Sequence, residues 1–161
     1  AQLDRFLVQI DVDYPDRATE RDVLLATTGV DEATAPQVFT ADDLRAAQVT
    51  VRRMPVGEKV VELILDLVRA CRPGEGEAGA TVNQSVSWGP GPRAAQALML
   101  AVRARALLDG RLAPSSDDVV ALARPILSHR MALSFAARAR GESLAGIIDG
   151  VARDVTRAEA A

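Results

Sequence analysis

The feature that most constrains the fold is a turn rich in proline and glycine that leads directly into a long helical pattern. Residues 85–111 read SVSWGPGPRAAQALMLAVRARALLDGR. After the turn, apolar side chains recur every three or four residues, which predicts a helix from Pro92 to about Asp109. Proline suits the first turn of a helix, because its missing N–H would have no intrahelical partner there. Before the turn, the sequence predicts an extended run over Val82–Trp88.

Arg93 falls in the first turn of this helix, where unpaired N–H groups and the positive end of the helix dipole favour anions. A guanidinium at such a position is a candidate phosphate contact. Gly91 would let the backbone approach a ligand closely. An ordinary surface arginine at a helix start explains the same residues, and the residues alone leave both interpretations open.

Capping residues and apolar stripes predict further helices on both sides of this junction. Abundant alanine and few aromatic residues also favour closely packed helices. The predicted helices run from Asp16 to Gly29, from Thr40 (capped with Asp43) to Met54, from Gly57 to Arg72, from Ser115 or Ser116 to Pro125, and from Ser143 to about Val155. Turn-like composition predicts loops over Val30–Val38 and Arg72–Gly79.

The first residues of the chain alternate in polarity, with apolar side chains at Phe6, Val8, Ile10 and Val12. This period of two predicts a β-strand. A strand needs a neighbour to satisfy its backbone, and the sequence offers only Val82–Trp88, which could pair with it or form a small hairpin. The mismatch leads us to expect that the chain is a fragment whose missing N-terminal part held the sheet.

Composition and residue counts exclude several classes of function. A net charge of −3 and a pI near 5.2 argue against a nucleic-acid binder. The chain has one cysteine and one histidine, so it cannot form an internal disulfide, has no metal-ligand spacing and excludes most of the usual nucleophilic arrangements. Cys71 is predicted to be a buried apolar group, and His129 a structural hydrogen-bonding group. No apolar run is long enough for a membrane span, and the chain is interpreted as cytoplasmic.

The stretch GPGPRA, its helix and the later run GRLAPSSDDVVALARPILSHRMAL resemble the lid of MoxR-type AAA+ ATPases. The resemblance implies that Arg93, which follows Gly91 and Pro92, is the sensor 2 arginine that reaches the nucleotide phosphates. The family usually has serine where this chain has Gly91, and Pro90 is an additional proline.

A second part of the resemblance lies in the L-D-R-F stretch, Leu3–Phe6, which in the family ends the ATPase core. It implies that Arg5 is an arginine finger acting in trans on nucleotide bound by a neighbouring subunit. A surface ion pair of Arg5 with Asp4 is the alternative. By the same resemblance, residues 1–14 would end the core and residues 15–161 would form the lid. The implied fold is mainly α, a helical bundle with a short N-terminal strand and a small hairpin.

The resemblance also implies ATP and Mg²⁺ as cofactors, held mainly by a core domain upstream of Ala1. It implies a ring homo-oligomer, a partner with a von Willebrand A-type domain, and chaperone-like remodelling or maturation of protein complexes. The sequence contains neither the phosphate-binding G-x-x-x-x-G-K-[ST] nor a strand ending in paired acids, so these 161 residues alone are expected not to hydrolyse ATP.

Two alternatives to the ATPase lid come from the residues. One is a freestanding helical interaction module without nucleotide chemistry. The other is a small α-helical enzyme, which is disfavoured because no set of catalytic residues converges.

Trp88 is predicted to pack at the base of the long helix, with stacking on adenine as the alternative. Charge is uneven, with four arginines against ten acidic residues in positions 1–50 and eight arginines against three in positions 90–140. A basic half suits an anionic ligand.

Overall fold

The computed structural model describes residues 2–30 and 34–159, and these residues are mostly helical. The mainly α fold predicted from the sequence is confirmed. Within the described residues the α-helices are α1 (Arg17–Thr28), α2 (Ala41–Arg53), α3 (Glu58–Ala70), α4 (Ala80–Ser85), α5 (Pro92–Leu108), α6 (Ser116–Leu127), α7 (Phe135–Ala139) and α8 (Leu144–Glu159). Two short 3-10 helices, Leu3–Arg5 and Ser128–Arg130, complete the helical part.

The core lies where α3, α5, α6 and α8 pack against one another. Each helix contributes one apolar stripe at helical spacing, so its opposite face remains available to solvent. Removing these side chains from water is the main favourable contribution to folding. The almost fully buried members are Ile64, Leu67 and Val68 of α3, Ala94, Leu98, Val102 and Ala106 of α5, Val119, Ala123, Ile126 and Leu127 of α6, and Ile148 of α8.

The chain divides into two compact units. Gln9 and the residues before it belong with the residues from Val49 onward, and Ile10–Gln48 form the other unit. Every described residue of this second unit is exposed. Asp31, Glu32 and Ala33 of the predicted Val30–Val38 loop lie outside the described residues.

The predicted helix starts in the second unit are confirmed. Asp16 caps α1, and its carboxylate accepts a hydrogen bond from the Thr19 N–H at 2.8 Å. Thr40 and Asp43 cap α2 reciprocally: the Asp43 carboxylate accepts from the Thr40 N–H at 2.9 Å, and the Thr40 hydroxyl accepts from the Asp43 N–H at 3.1 Å. Local capping chemistry therefore defines these helices without any buried side chain.

The N-terminal residues differ from the predicted strand. Leu3–Arg5 form a 3-10 helix, and residues 6–16 form neither helix nor strand. The alternating polarity of this stretch is typical of a strand, but a strand also requires a neighbour along its edge. The two strands that the described chain contains pair with each other instead.

The predicted extended run Val82–Trp88 is only partly extended. Its first half belongs to α4, where Val82 and Ser85, three residues apart, are both buried. Only Val86–Trp88 form a strand, β1, which pairs antiparallel with β2 (Ala132–Leu133). In place of the predicted small hairpin, the strand belongs to a two-stranded antiparallel sheet whose second strand comes from a distant part of the sequence.

A buried carboxylate organises the start of α6. Ser115 is the N-cap, and Asp118 completes the capping box by accepting from the Ser115 N–H at 2.8 Å. Asp118 is 2% exposed and also accepts two hydrogen bonds of 2.7 Å from Arg111. Arg105 adds an ion pair at 3.2 Å. The hydrogen bonds from Arg111 hold the pKa of Asp118 at about 2, below its usual 3.8.

The Asp118 cluster yields a prediction about stability and pH. We expect Asp118→Asn to lower the free energy of unfolding by about 2 kcal/mol at pH 7. Because the folded-state pKa is depressed, this contribution is fully present above the unfolded value of 3.8 and is lost as the pH falls through about 2. Urea denaturation at a series of pH values measures it. Asp117→Asn, on the exposed side of the same turn, is the control and should change stability little. Equal effects of the two substitutions would contradict this account.

Candidate functional site

The two arginines singled out from the sequence line the same groove. Arg5 and Arg93 both contribute to the walls of a cavity of about 310 Å³ between the Leu3–Arg5 helix and the first turns of α5. Asp4 and Arg130 line it as well, so three arginines and one carboxylate border it. The remaining lining residues are Leu7, Gln96, Ala97 and Leu100. We call this cavity the arginine groove.

The start of α5 has the geometry predicted from the sequence. Gly91 is the N-cap and Pro92 the first helical residue, so Arg93 follows in the first turn. The Arg93 side chain is 56% exposed, and its nearest ionic partner is the Asp4 carboxylate at 3.5 Å. No acidic residue lies in the first turn of α5. The positive end of the helix and a largely exposed guanidinium therefore lie side by side, an arrangement that attracts anions.

The turn before Arg93 is held against the end of α3. The Arg72 guanidinium donates a hydrogen bond of 2.9 Å to the carbonyl oxygen of Pro90. Gly89 lies so close to this segment that an added Cβ would be 2.8 Å from the Cα of Arg72 and nearer still to the carbonyl oxygen of Cys71. Only glycine fits at this approach. The position of Arg93 thus depends on the packing of the turn behind it.

Cys71, beside this turn, is completely buried. Burial raises the pKa of its thiol to about 12, so the thiolate required of a nucleophile does not form near neutral pH. The predicted role of Cys71 as a small apolar core residue is confirmed.

Arg5 lies at the end of the Leu3–Arg5 helix and is exposed. In the part of the chain that the structure describes, its guanidinium has no ion-pair partner. The alternative in which Arg5 pairs with Asp4 is not observed, because the two oxygens of Asp4 face Arg93 and Arg130 instead. Arg5 is therefore available to a group outside the described chain.

Arg130 is the residue that sequence reasoning missed. It follows α6 in the Ser128–Arg130 helix and is only 2% exposed. Its guanidinium faces the N-terminal segment and forms an ion pair with Asp4 at 3.2 Å. Burial lowers the pKa of Arg130, although the Asp4 charge opposes this shift. An arginine in the run ILSHRMAL gives no local signal of burial, since its partner lies more than 120 positions earlier.

His129 contacts the N-terminal segment, and Trp88 lies in the small sheet. The Nε2 atom of His129 lies 3.0 Å from the carbonyl oxygen of Phe6, which confirms the predicted structural hydrogen bond. Trp88 lies in β1 and is about half exposed.

The described residues fit a phosphate contact better than a metal site. Among them, no group of three or more histidine, cysteine, aspartate or glutamate side chains could hold a metal ion. The arginine groove offers the exposed guanidinium groups of Arg5 and Arg93, and guanidinium groups bind phosphate oxygens. None of the described helices is long and apolar enough to cross a membrane.

Comparison with known proteins places this architecture in a class. Residues 79–149, from just before α4 into α8, match the family model of the AAA lid domain. The crystal structure of an ATPase candidate from Cytophaga hutchinsonii superposes on this chain with a TM-score of 0.85 at 25% sequence identity. The superposition covers 94% of this chain and 46% of that one. The helical bundle is thus an AAA lid.

Curated relatives narrow the class further. Chaperone MoxR1 of Mycobacterium tuberculosis is 32% identical over 86% of this chain, and Protein MoxR of Paracoccus denitrificans is 32% identical over 89%. Protein YeaC of Bacillus subtilis is 33% identical over 92%. The chain spans less than half the length of each relative: 37%, 46% and 44% respectively. The chain corresponds to the lid region of MoxR-type AAA+ proteins, to which it is similar over most of its own length.

The turn before Arg93 provides a matched pair of substitutions. Gly89→Ala should lower the free energy of unfolding by about 1–3 kcal/mol, because the new methyl group meets the backbone of Cys71 and Arg72. Gly91→Ala places its methyl group where no atom lies within 4 Å, and should cost less than about 1 kcal/mol as a change of N-cap. Urea denaturation of both variants checks this. If Gly91→Ala costs as much as Gly89→Ala, the tight contact at Gly89 does not hold the turn.

Proposed function

We propose that the chain is the lid of an ATP-hydrolysing MoxR-type machine, in which Arg93 senses the nucleotide phosphates. The observation that carries this proposal is the largely exposed guanidinium of Arg93 in the first turn of α5, whose ionic partner within the described chain is a carboxylate at 3.5 Å. Residues 1–14 would then end the ATPase core and residues 15–161 would form the lid. Such a lid changes its position relative to the core when the phosphate that Arg93 contacts is present or absent.

Arg93 acts as the sensor 2 residue in this proposal. Its side chain is largely exposed, and its single ionic partner within the described chain is a carboxylate at the long distance of 3.5 Å. An exposed pair of this kind contributes little to stability, so a phosphate group can replace the carboxylate at small cost. The backbone at Gly91 and Pro92 would border the phosphate at the helix start.

Arg5 acts in trans in this proposal. Because its guanidinium is exposed and unpaired among the described residues, it can reach nucleotide bound by the adjacent subunit of a ring. An arginine in this role stabilises the negative charge that spreads over the transferring phosphoryl group. The site is complete only in a homo-oligomer, since each subunit supplies Arg5 to its neighbour.

ATP supplies the phosphoryl group, and Mg²⁺ neutralises part of its charge. In this proposal both are held mainly by the core domain, and the described residues contain no group of three or more histidine, cysteine, aspartate or glutamate side chains that could hold the metal ion. What this chain contributes is charge and position, through Arg93 in the same subunit and Arg5 in the next one.

The output of such a machine would be chaperone-like remodelling or maturation of protein complexes in the cytoplasm. The name of the Mycobacterium tuberculosis relative, Chaperone MoxR1, supports this part of the proposal. A partner protein with a von Willebrand A-type domain would be consistent with it.

The alternative is a freestanding helical module that binds a partner protein without nucleotide chemistry. The Ile10–Gln48 unit favours it, because apolar side chains such as Val23, Leu24 and Leu25 of α1 are exposed there. Exposed apolar groups in one unit are typical of a surface that another protein or domain covers.

The two functions differ in what the arginines do. In the full-length protein we expect Arg93→Ala and Arg5→Ala each to lower the rate of ATP turnover at least about a hundredfold, as loss of a charge-stabilising arginine does elsewhere. A subunit that cannot bind ATP but retains Arg5 should restore turnover to Arg5→Ala subunits in mixed rings, and should not restore it to Arg93→Ala subunits. Steady-state phosphate release measures both effects.

Arg138→Ala is the matched control, since Arg138 is an exposed arginine of α7 outside the arginine groove. It should leave turnover within about twofold of wild type. If neither Arg93→Ala nor Arg5→Ala lowers turnover, the nucleotide role is wrong and the interaction module becomes the better description.

A further inference from the structure

A buried arginine joins the N-terminal segment to the helical bundle. Nη1 of Arg130 donates to the carbonyl oxygens of Leu7 at 3.2 Å and Ile126 at 2.6 Å. Nη2 donates to the carbonyl oxygens of Asp4 at 3.3 Å and Phe6. Nε donates to Oδ1 of Asp4 at 3.2 Å. Four of these five acceptors belong to the segment that carries Arg5.

Two further contacts bind the same segment to the same end of α6. The ring of His129 lies 3.0 Å from the carbonyl oxygen of Phe6, and the N–H of Gln9 donates to the carbonyl oxygen of Pro125 at 2.8 Å. Almost all of these acceptors are backbone carbonyls. The contacts therefore fix the path of the chain on both sides of Arg5. The Arg5 side chain takes part in none of these hydrogen bonds.

The chemistry of this contact depends on the shape of the guanidinium group. A fully buried cation is costly unless its donors are satisfied, and Arg130 directs its planar fork to several oxygens at once. Lysine carries the same charge on a single ammonium group, so it cannot reproduce this pattern. An Arg130→Lys substitution thus removes the geometry while keeping the charge.

Asp4 connects this contact to the arginine groove. Its Oδ1 faces Arg130 at 3.2 Å and its Oδ2 faces Arg93 at 3.5 Å. Asp4 also immediately precedes Arg5 in the sequence. One carboxylate therefore lies between the buried arginine of the bundle and the exposed arginine of α5, beside the residue proposed to act in trans.

We propose that Arg130 is a positioning residue for Arg5: by holding Asp4 and the carbonyls of residues 4, 6 and 7, it makes the location of Arg5 follow the lid. This inference rests on the proposed function, because it assigns Arg130 to the trans site that Arg5 completes. When the lid moves with the nucleotide state of its own subunit, the contact with Arg130 displaces this end of the core, and Arg5 shifts at the site of the neighbour. The link makes the nucleotide state of one subunit a regulator of hydrolysis in the next.

The experiment uses mixed rings of the full-length protein. Subunits with Arg5→Ala supply working nucleotide sites, and donor subunits that cannot bind ATP supply Arg5 in trans. Adding Arg130→Lys to the donor should lower the restored ATP turnover at least about tenfold. A purely structural role at the donor's own nucleotide site would not change this readout, since that site is inactive. Subunit incorporation is measured by native mass spectrometry, so that rings of equal composition are compared.

The control donor carries Arg124→Lys. Arg124 also lies near the end of α6, but it pairs with Asp149 at 3.0 Å, away from the N-terminal segment. This donor should restore turnover as well as the unmodified donor. If the Arg130→Lys donor is too unstable to join rings, a donor with Asp4→Asn replaces it. This substitution removes the charge next to Arg130 and keeps every backbone carbonyl, and it should lower the restored turnover at least about threefold.

The outcomes separate the two proposals. If the unmodified donor restores turnover and the Arg130→Lys donor restores it equally well at equal incorporation, Arg130 does not position Arg5, and the proposed function stands alone. If Arg5→Ala does not lower turnover in the first place, the trans role fails and the inference fails with it. Loss of rescue with Arg130→Lys and full rescue with Arg124→Lys would support the inference.

Discussion

The structure depends on the close packing of α5 against the other helices of the bundle. The buried face of α5 is built largely from alanine, with Ala94, Ala97 and Ala106 fully or almost fully removed from solvent. Such small side chains let helix backbones approach one another, so that the larger residues Leu98 and Val102 fill the remaining space. Because Arg93 lies in the first turn of this helix, the packing that stabilises the bundle also fixes where the arginine groove lies.

Two buried ionic groups lie at opposite ends of α6, and each joins a neighbouring segment to the bundle. At the start of the helix Asp118 holds Arg111 and Arg105, and beyond its end Arg130 holds the N-terminal segment. A buried charge is tolerated only when its partners are in place, so each group favours a single arrangement of the segment that it contacts. Apolar packing alone would hold these segments less specifically.

The sequence predicted the helices well, because their signals are local. Capping residues such as Asp16 and Ser115 mark helix starts within a few positions, and apolar stripes identify the buried faces. The likeness of the chain to MoxR-type proteins also agrees with the resemblance in GPGPRA. The interpretation failed where pairing is not local. Residues 6–13 alternate like a strand but have no strand beside them, and β1 pairs with residues more than 40 positions away. The burial of Arg130 has the same origin, since nothing near it in the sequence shows its partner.

The division of the chain into units has a consequence for the order of folding. The segment that ends at Gln9 belongs with residues from Val49 onward, so the chain leaves one unit, forms Ile10–Gln48 and then returns. Contacts between Asp4 and Arg130 span 126 positions, and they require the docking site on α6 to exist first. Closing a loop of this length costs entropy that only a formed surface can offset. Within these 161 residues, the contacts of Asp4 to Gln9 with the end of α6 should therefore form late in folding and open before the bundle core, so that the amide hydrogens of this segment exchange with solvent well before those of the core.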